Sequence, residues 1–300
     1  MSLLVVGTVA FDTVETPHGV VEQALGGSAT YFSYAASYFT PVRLVGVVGD
    51  DFPHSHRAML EGRNVDTSGL IVEKGGKTFH WKGRYEGDMN MAHTLETHLN
   101  VLASFNPELS PTFADTPYLF LANGVPAIQR KVLAQAKKKK FVVADTMNLW
   151  IDTQREELYE LLKEIDGLVL NDGEARMLTE EVNLVRAGWK VLDLGPRFVI
   201  IKKGEHGALF LSAEETFVMP AFPVADVVDP TGAGDSFAGG FMGYITAADK
   251  TDMPTLKTAL AYGTVVASLN VEDFSLRRFQ RTERDEIDRR LATYRSMMAF

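Results

Sequence analysis

The 300-residue chain contains no cysteine. Disulfides, thiolate nucleophiles and cysteine-ligated zinc are therefore excluded. A reducing compartment fits this composition without being required by it. Basic residues are in the minority, with 30 Lys and Arg against 39 Asp and Glu and a formal net charge of −9. An acidic chain makes a poor ligand for polyanions, so nucleic acid is not an expected partner. No apolar run approaches the ~20 residues of a membrane span. The opening "MSLLVVGTVAFD" lacks the basic region of a secretory signal. The expectation is a cytoplasmic protein without a membrane partner.

Several chemical signatures are also missing. The first apolar run ends at Gly7 and continues "TVAFD", not the glycine fingerprint of a dinucleotide-binding fold. "GGKT" at 75–78 has the tail of a phosphate-binding loop, but the first glycine of that pattern would fall at Ile71. An alternating segment follows it, which points to a hairpin turn. No G-x-S-x-G hydrolase elbow occurs. The pairs His93/His98 and His54/His56 do not share a helix face, which argues against a histidine metal site.

What is present is an alternation. Short runs rich in β-branched residues lie at 3–7, 42–49, 118–124, 140–145, 167–172 and 197–204. They are apolar on both faces, as in parallel strands covered by helices. Helical patterns lie between them at 28–39, 53–62, 126–138, 153–164, 172–179 and 182–193. The last third, at 233–248, 254–270 and 283–295, is mainly helical. This predicts an α/β fold with a doubly wound, mostly parallel sheet. No linker divides the chain, so a single domain over 1–300 is expected. Two segments break the rhythm. Residues 12–24 hold a turn, and 70–87 are read as a hairpin. In the latter, Thr78, His80, Lys82 and Arg84 alternate with Phe79, Trp81 and Tyr85, giving one wet and one apolar face. The lysine run 137–140 is read as a solvated helix end.

One stretch, "DPTGAGDSFAGGFMGY" at 229–244, has a chemical logic. Small residues at Gly232, Ala233 and Gly234 let backbone amides approach a ligand. A helix starting here presents unpaired N–H groups and a positive dipole end. Asp235 in its first turn is positioned to accept a proton from a hydroxyl, and the amides to stabilise a transferring phosphoryl group. A glycine-rich turn capped by an acid explains the same residues, and physical reasoning alone leaves the two readings level.

The stretch resembles the C-terminal signature of the ribokinase-like (PfkB) family of carbohydrate and nucleoside kinases. Other segments resemble the family's marks in order: Asp12 after the first strand, "LGGSATYFSYAA" (25–36), "GVVGDD" (46–51), "NDGE" (171–174) and "KKGEHGA" (202–208). The resemblance implies a ribokinase-like fold with a small β-sheet lid at about 12–24 and 70–100. It implies an ATP- and Mg²⁺-dependent kinase acting on a hydroxymethyl group of a neutral sugar or nucleoside. Asp235 would be the general base, and Gly232, Ala233 and Gly234 the anion hole. Asp12, Gly26, Gly27, Ser28, Tyr31 and Asn148 would hold the acceptor. Asn171 and Glu174 would organise Mg²⁺ through water. Lys203, Gly204, Gly207 and Asn270 would lie on the nucleotide side. Asp229 and Thr231 would sit in the loop that binds K⁺ in many relatives. Lids of this kind also suggest a homodimer, so Phe79, Trp81 and Tyr85 have three candidate partners: substrate, a second chain, or the body of their own chain.

The pattern has departures. Tyr31 stands where many members carry Asn, and Ala10 replaces the Asn two residues before Asp12. After Asp145 and Asn148, Leu149 and Trp150 stand where an Arg often meets sugar phosphates, which favours a neutral acceptor. Phe11, Tyr31, His80 and Trp150 offer flat surfaces for a nucleobase, or simply pack. The alternative to a kinase is a catalytically silent ligand-sensing or interaction protein on the same fold.

Overall fold

The computed structural model describes residues 1–299. The chain forms two compact units, one made of 1–105 and 222–300, the other of 106–221. The first unit begins with β1 (Leu3–Val6), β2 (Ala10–Thr16), β3 (Gly19–Gly26), α1 (Ser28–Ala36), β4 (Val42–Gly49), α2 (His54–Glu61), β5 (Val65–Glu73), β6 (Phe79–Tyr85) and β7 (Ala92–His98). The second holds α3 (Pro111–Ala114), β8 (Tyr118–Leu121), α4 (Pro126–Gln135), β9 (Phe141–Asp145), α5 (Asn148–Thr153), α6 (Arg155–Leu162), β10 (Gly167–Asn171), α7 (Asp172–Thr179), α8 (Leu184–Asp193), β11 (Phe198–Lys202), β12 (Ala208–Ser212) and β13 (Thr216–Met219). The chain then completes the first unit with α9 (Ala233–Ala248), α10 (Met253–Asn270), α11 (Arg277–Gln280) and α12 (Arg284–Met298).

In the first unit β1, β4 and β5 pair in parallel. A separate four-stranded sheet runs β3-β2-β6-β7. In the second unit the order is β13-β12-β11-β10-β9-β8. Its first four strands, β8 to β11, are parallel, and β12 and β13 are antiparallel. This is the expected α/β architecture: mostly parallel strands flanked by helices, plus a smaller sheet. β8 and β9 are buried at every residue, which is why both read as unbroken apolar runs. Rings of Phe141, Phe198, Phe210 and Phe217 stack across this sheet at centroid distances of 5.8, 5.4 and 4.6 Å. The ladder needs Gly167 on β10, because a Cβ there would lie 2.0 Å from the Phe198 ring.

The segment 70–87 corrects the hairpin reading. β5 pairs in parallel with β4, whereas β6 pairs with β2 and β7. "GGKT" therefore crosses from one sheet to the other. Asp51 holds the crossing by accepting from the Thr78 N–H at 2.8 Å and the Thr78 hydroxyl at 2.6 Å. The Gly49 N–H donates to the same hydroxyl at 3.0 Å. The turn composition was read correctly, but the partner strand is set by long-range register, which composition does not encode.

Helix packing positions the site. α9 lies against α1 and α10 through glycines. A Cβ at Gly239 would meet the Phe32 carbonyl oxygen at 2.5 Å, and one at Gly240 would lie 3.1 Å from Gly263 Cα. These glycines of the 229–244 stretch therefore bring helices together, so its glycines divide between the turn and the packing.

Candidate active site

The turn before α9 is heavily tied down. Gly232, with φ +75, occupies the left-handed region as the N-cap of α9. A Cβ there would sit 2.3 Å from the Tyr31 ring, so both backbone and packing demand glycine. The buried Asp229 carboxylate accepts from the Thr231 N–H at 2.9 Å and the Ser275 N–H at 3.3 Å. Asn270 donates to the Thr231 carbonyl at 2.8 Å and accepts from the Ser236 hydroxyl at 2.9 Å. The Ala233 N–H donates to the Pro230 carbonyl at 3.1 Å. Of the three expected anion-hole amides, Ala233 is thus spent inside the turn, and Gly232 and Gly234 remain as donors. Asp235 is half-buried in the first turn of α9, where a carboxylate suits the helix dipole.

Asp12 comes from β2 in the same unit. Its Oδ2 accepts from the Gly27 N–H at 3.3 Å. A Cβ at Gly26 would lie 1.9 Å from that oxygen, so Gly26 exists to let the carboxylate in. Gly27, with φ +94, turns the chain into α1. Ser28 and Thr8 clasp each other: the Ser28 N–H donates to the Thr8 hydroxyl at 2.9 Å, and the Thr8 N–H to the Ser28 hydroxyl at 3.2 Å. The Ser28 side chain thereby joins the loop after β1 to the start of α1.

Electrostatics single out this cluster. Burial, with Asp229 and Asp235 adding repulsion, pushes the Asp12 carboxyl up to about 7 against the opposing Gly27 hydrogen bond. Burial also raises Asp229. Tyr31 and Tyr85 are raised by burial first, and the charges of Asp12, Asp229 and Asp235 act on both phenols. Three carboxylates and two phenols thus share one site, an arrangement more typical of function than of stability. A cavity of about 160 Å³ elsewhere, lined by Tyr38, Arg63, Asn64 and Arg284, lies at the other end of α1 and contains none of these groups.

The small sheet has the two faces expected from alternation. Val14, Trp81 and Tyr85 pack with Met89, Phe274, Val227 and Val228, so Trp81 and Tyr85 cover their own chain. Tyr85 reaches the turn, where its hydroxyl accepts from Thr231 at 3.4 Å. On the other face His80 bonds Thr13 at 3.0 Å, and Glu15 pairs with Arg84 at 2.7 Å and Lys82 at 3.4 Å.

The remaining expected residues lie in the second unit. Asn171 and Glu174 form a capping box on α7. Asn171 Oδ1 accepts from the Glu174 N–H at 2.8 Å, and Glu174 Oε2 from the Asn171 N–H at 2.7 Å. Lys203 opens a tight turn in which its N–H donates to Gly207 at 2.7 Å. Gly204 and Gly207 take φ +54 and +81. Asn148 is exposed at the start of α5 and accepts from the Leu149 N–H at 3.0 Å. Trp150 donates to Asn123 at 2.8 Å. Phe11, in the first unit, stacks on Phe52 at 6.1 Å.

Asn270, expected on the nucleotide side, is 1% exposed and both ends of its amide are engaged behind the turn. Ser236, Ser275, Thr8 and the Tyr85 contact were missed. Only Ser236, inside the motif, carried a local signal. Among the described residues no three His, Asp or Glu side chains form a group able to hold a metal ion, and no helix is long and apolar enough to cross a membrane.

The model of the pfkB family carbohydrate kinases matches residues 2–282. A cytidine kinase of Thermococcus kodakarensis is 29% identical over 81% of this chain and 87% of its own length. A nucleoside kinase of Methanothermobacter thermautotrophicus is 27% identical over 90% and 89%. Among solved structures, the aminoimidazole riboside kinase of Salmonella enterica, complexed with aminoimidazole riboside and an ATP analogue, has a TM-score of 0.78 at 20% identity and covers 97% of this chain and 100% of that one. A ribokinase II from E. coli, in complex with ATP and Mg²⁺, has a TM-score of 0.80 at 19% identity over 97% and 99%.

Proposed function

From the premise that this chain belongs to the pfkB carbohydrate kinase family and is a phosphotransferase with an alcohol acceptor, we propose that it transfers the γ-phosphoryl group of ATP to a hydroxymethyl group of a neutral sugar or nucleoside. Nucleosides are the favoured acceptors. The cytidine and nucleoside kinases similar to this chain point that way, as do Leu149 and Trp150 in place of a phosphate-binding arginine. The observation that carries the kinase reading is the convergence of Asp12, Asp229 and Asp235 on a glycine turn at the start of a 16-residue helix.

In this mechanism Asp12 holds acceptor hydroxyls, with Gly26 and Gly27 giving it room. Asp235 takes the proton from the hydroxymethyl oxygen as that oxygen attacks phosphorus in line. The Gly232 and Gly234 amides stabilise the oxygens of the moving phosphoryl group. Tyr31 shapes the floor beneath Gly232, and the small sheet serves as a lid that excludes water from the reacting groups.

In the second unit Lys203, Gly204 and Gly207 serve the nucleotide. The donor set there offers one carboxylate, Glu174, and one side-chain amide, Asn171. This fits Mg²⁺, which keeps most of its coordination from phosphate and water. When bound, the ion would neutralise phosphate charge. Each Asp229 oxygen and the Thr231 carbonyl accepts one N–H donor and keeps a lone pair, so these residues would hold a monovalent cation if one binds.

The test is ADP release measured with cytidine, adenosine, inosine, ribose and fructose. Turnover with at least one, greater for a nucleoside, is the expected result. Tight binding of an acceptor without turnover would instead establish the silent sensor.

A further inference from the structure

Asn270 is the last residue of α10, 34 positions beyond Ser236 and 39 beyond Thr231 in sequence. Its amide orientation is fixed by chemistry. The Thr231 carbonyl can only accept, so the NH₂ group must face it and the amide oxygen must face the Ser236 hydroxyl. The two contacts bracket Gly232, Ala233, Gly234 and Asp235, the four residues to which the proposed chemistry is assigned.

We infer that Asn270 is a positioning residue for phosphoryl transfer, stapling both ends of the turn so that the Gly232 N–H and the Asp235 carboxylate hold their reactive directions. The inference rests on the kinase reading above and adds to it. Its physical core is the planarity of the peptide. The Thr231 C=O and the Gly232 N–H belong to one trans peptide unit and point in opposite directions. Holding the carbonyl on Asn270 therefore aims the N–H away from Asn270. Gly232 has left-handed φ and ψ of 75° and 2°, and glycine leaves this conformation easily because it has no Cβ to confine it. An external restraint on the preceding plane is what keeps the amide directed.

The second arm acts on the helix start. The Ser236 hydroxyl is bound to Asn270, and the Ser236 N–H closes the first turn on the Gly232 carbonyl at 2.8 Å. Asp235, the adjacent residue, inherits that geometry. The platform is rigid, because α9 and α10 are in backbone contact at Gly240 and Gly263. Asn270 and Ser236 are 1% and 0% exposed, so water cannot replace either contact when it is removed. Both side chains are engaged behind the turn rather than open to a ligand. Their loss should therefore slow the chemical step and leave acceptor binding nearly untouched.

The experiment compares wild type, Asn270→Leu and Ser236→Ala in steady-state kinetics, with hydrogen exchange of the 229–236 amides read alongside. For Asn270→Leu, kcat should fall about 10²-fold, the effect of a misplacement of about 1 Å. Its acceptor KM should stay within about 2-fold, and exchange should quicken within 232–235 at Ala233, whose amide is hydrogen-bonded in the turn. Ser236→Ala, which keeps the Thr231 arm, should lose about 10-fold or less in kcat with the same KM behaviour. A folded Asn270→Leu enzyme with parental kcat, lowered only in melting temperature, overturns the inference by reducing Asn270 to a structural residue. If that variant does not fold, Ser236→Ala decides: unchanged kcat together with unchanged exchange overturns the inference. If the wild type turns over no acceptor, it is the kinase reading that fails. The exchange data then judge the staple alone, and unchanged exchange at 232–235 overturns it.

Discussion

In the first unit Asp12, Asp229 and Asp235 are gathered where burial raises the first two, with repulsion from Asp229 and Asp235 adding to Asp12. In the second unit Asn171 and Glu174 satisfy each other's backbone amides in an ordinary capping box. Both sets belong to family marks, yet their energetics differ in sign. Burial of Asp12 and Asp229 opposes their ionisation, a perturbation that clusters at functional sites. The capping box stabilises α7 whether or not anything binds. A motif residue can therefore be retained for function, for folding, or for both, and the surrounding hydrogen bonds tell these apart.

The largest expected effect is at the proposed general base. Asp235→Asn should lower kcat by about 10²–10⁴-fold, the usual contribution of a general base, while acceptor binding by calorimetry is retained. A near-parental kcat would remove the functional half of the comparison.

Next comes Gly232→Ala, which forces a Cβ against the Tyr31 ring in a backbone region that disfavours it. A loss of roughly 10²-fold in kcat is expected, and parental activity would show that the turn is not held as described.

Glu174 separates the two roles in the second unit. Glu174→Gln keeps the reciprocal cap, so its melting temperature should match wild type. Its activity should fall by about 10-fold at limiting Mg²⁺, in the range seen for outer-shell partners of metal ions, and recover with excess Mg²⁺. Glu174→Ala should also lose about 1 kcal/mol of stability. Equal activity for Gln and wild type at every Mg²⁺ concentration would make Glu174 a cap and nothing more.

The smallest effect is on stability. Asp12 titrates in the fold near 7, above its ordinary 3.8, so the folded state binds the proton more tightly than the unfolded chain does. Stability from this group is complete below about pH 4 and is lost as pH rises through about 7. Asp12→Asn should therefore melt about 2–4 °C higher than wild type at pH 8, and the gap should close by pH 4. A gap independent of pH would mean that Asp12 is not held as a destabilised carboxylate.

Much of the site was legible because its parts are contiguous. Gly232 to Asp235 sit at one helix start, and Gly26 precedes a helix start in the same way. Contacts that cross the chain were not legible. The hydroxyls of Thr231 and Tyr85 meet across 146 positions. Asn270 was assigned to the nucleotide because nothing near it in sequence reveals the turn it supports. The misread hairpin at 70–87 has the same origin: its turn residues are local, but its pairing is not.

The sequence by itself determined the class of the fold, the alternation of buried strands and helices, and the place of Asp235 in the first turn of α9. These follow from hydrophobic period and from glycine at a junction, which act over a few residues. Only the tertiary structure decided which strands pair, that Trp81 and Tyr85 lie on their own chain, and that Asn270 works behind the turn. Those outcomes depend on which distant surfaces bury one another, and burial is a property of the whole packed chain rather than of any segment within it.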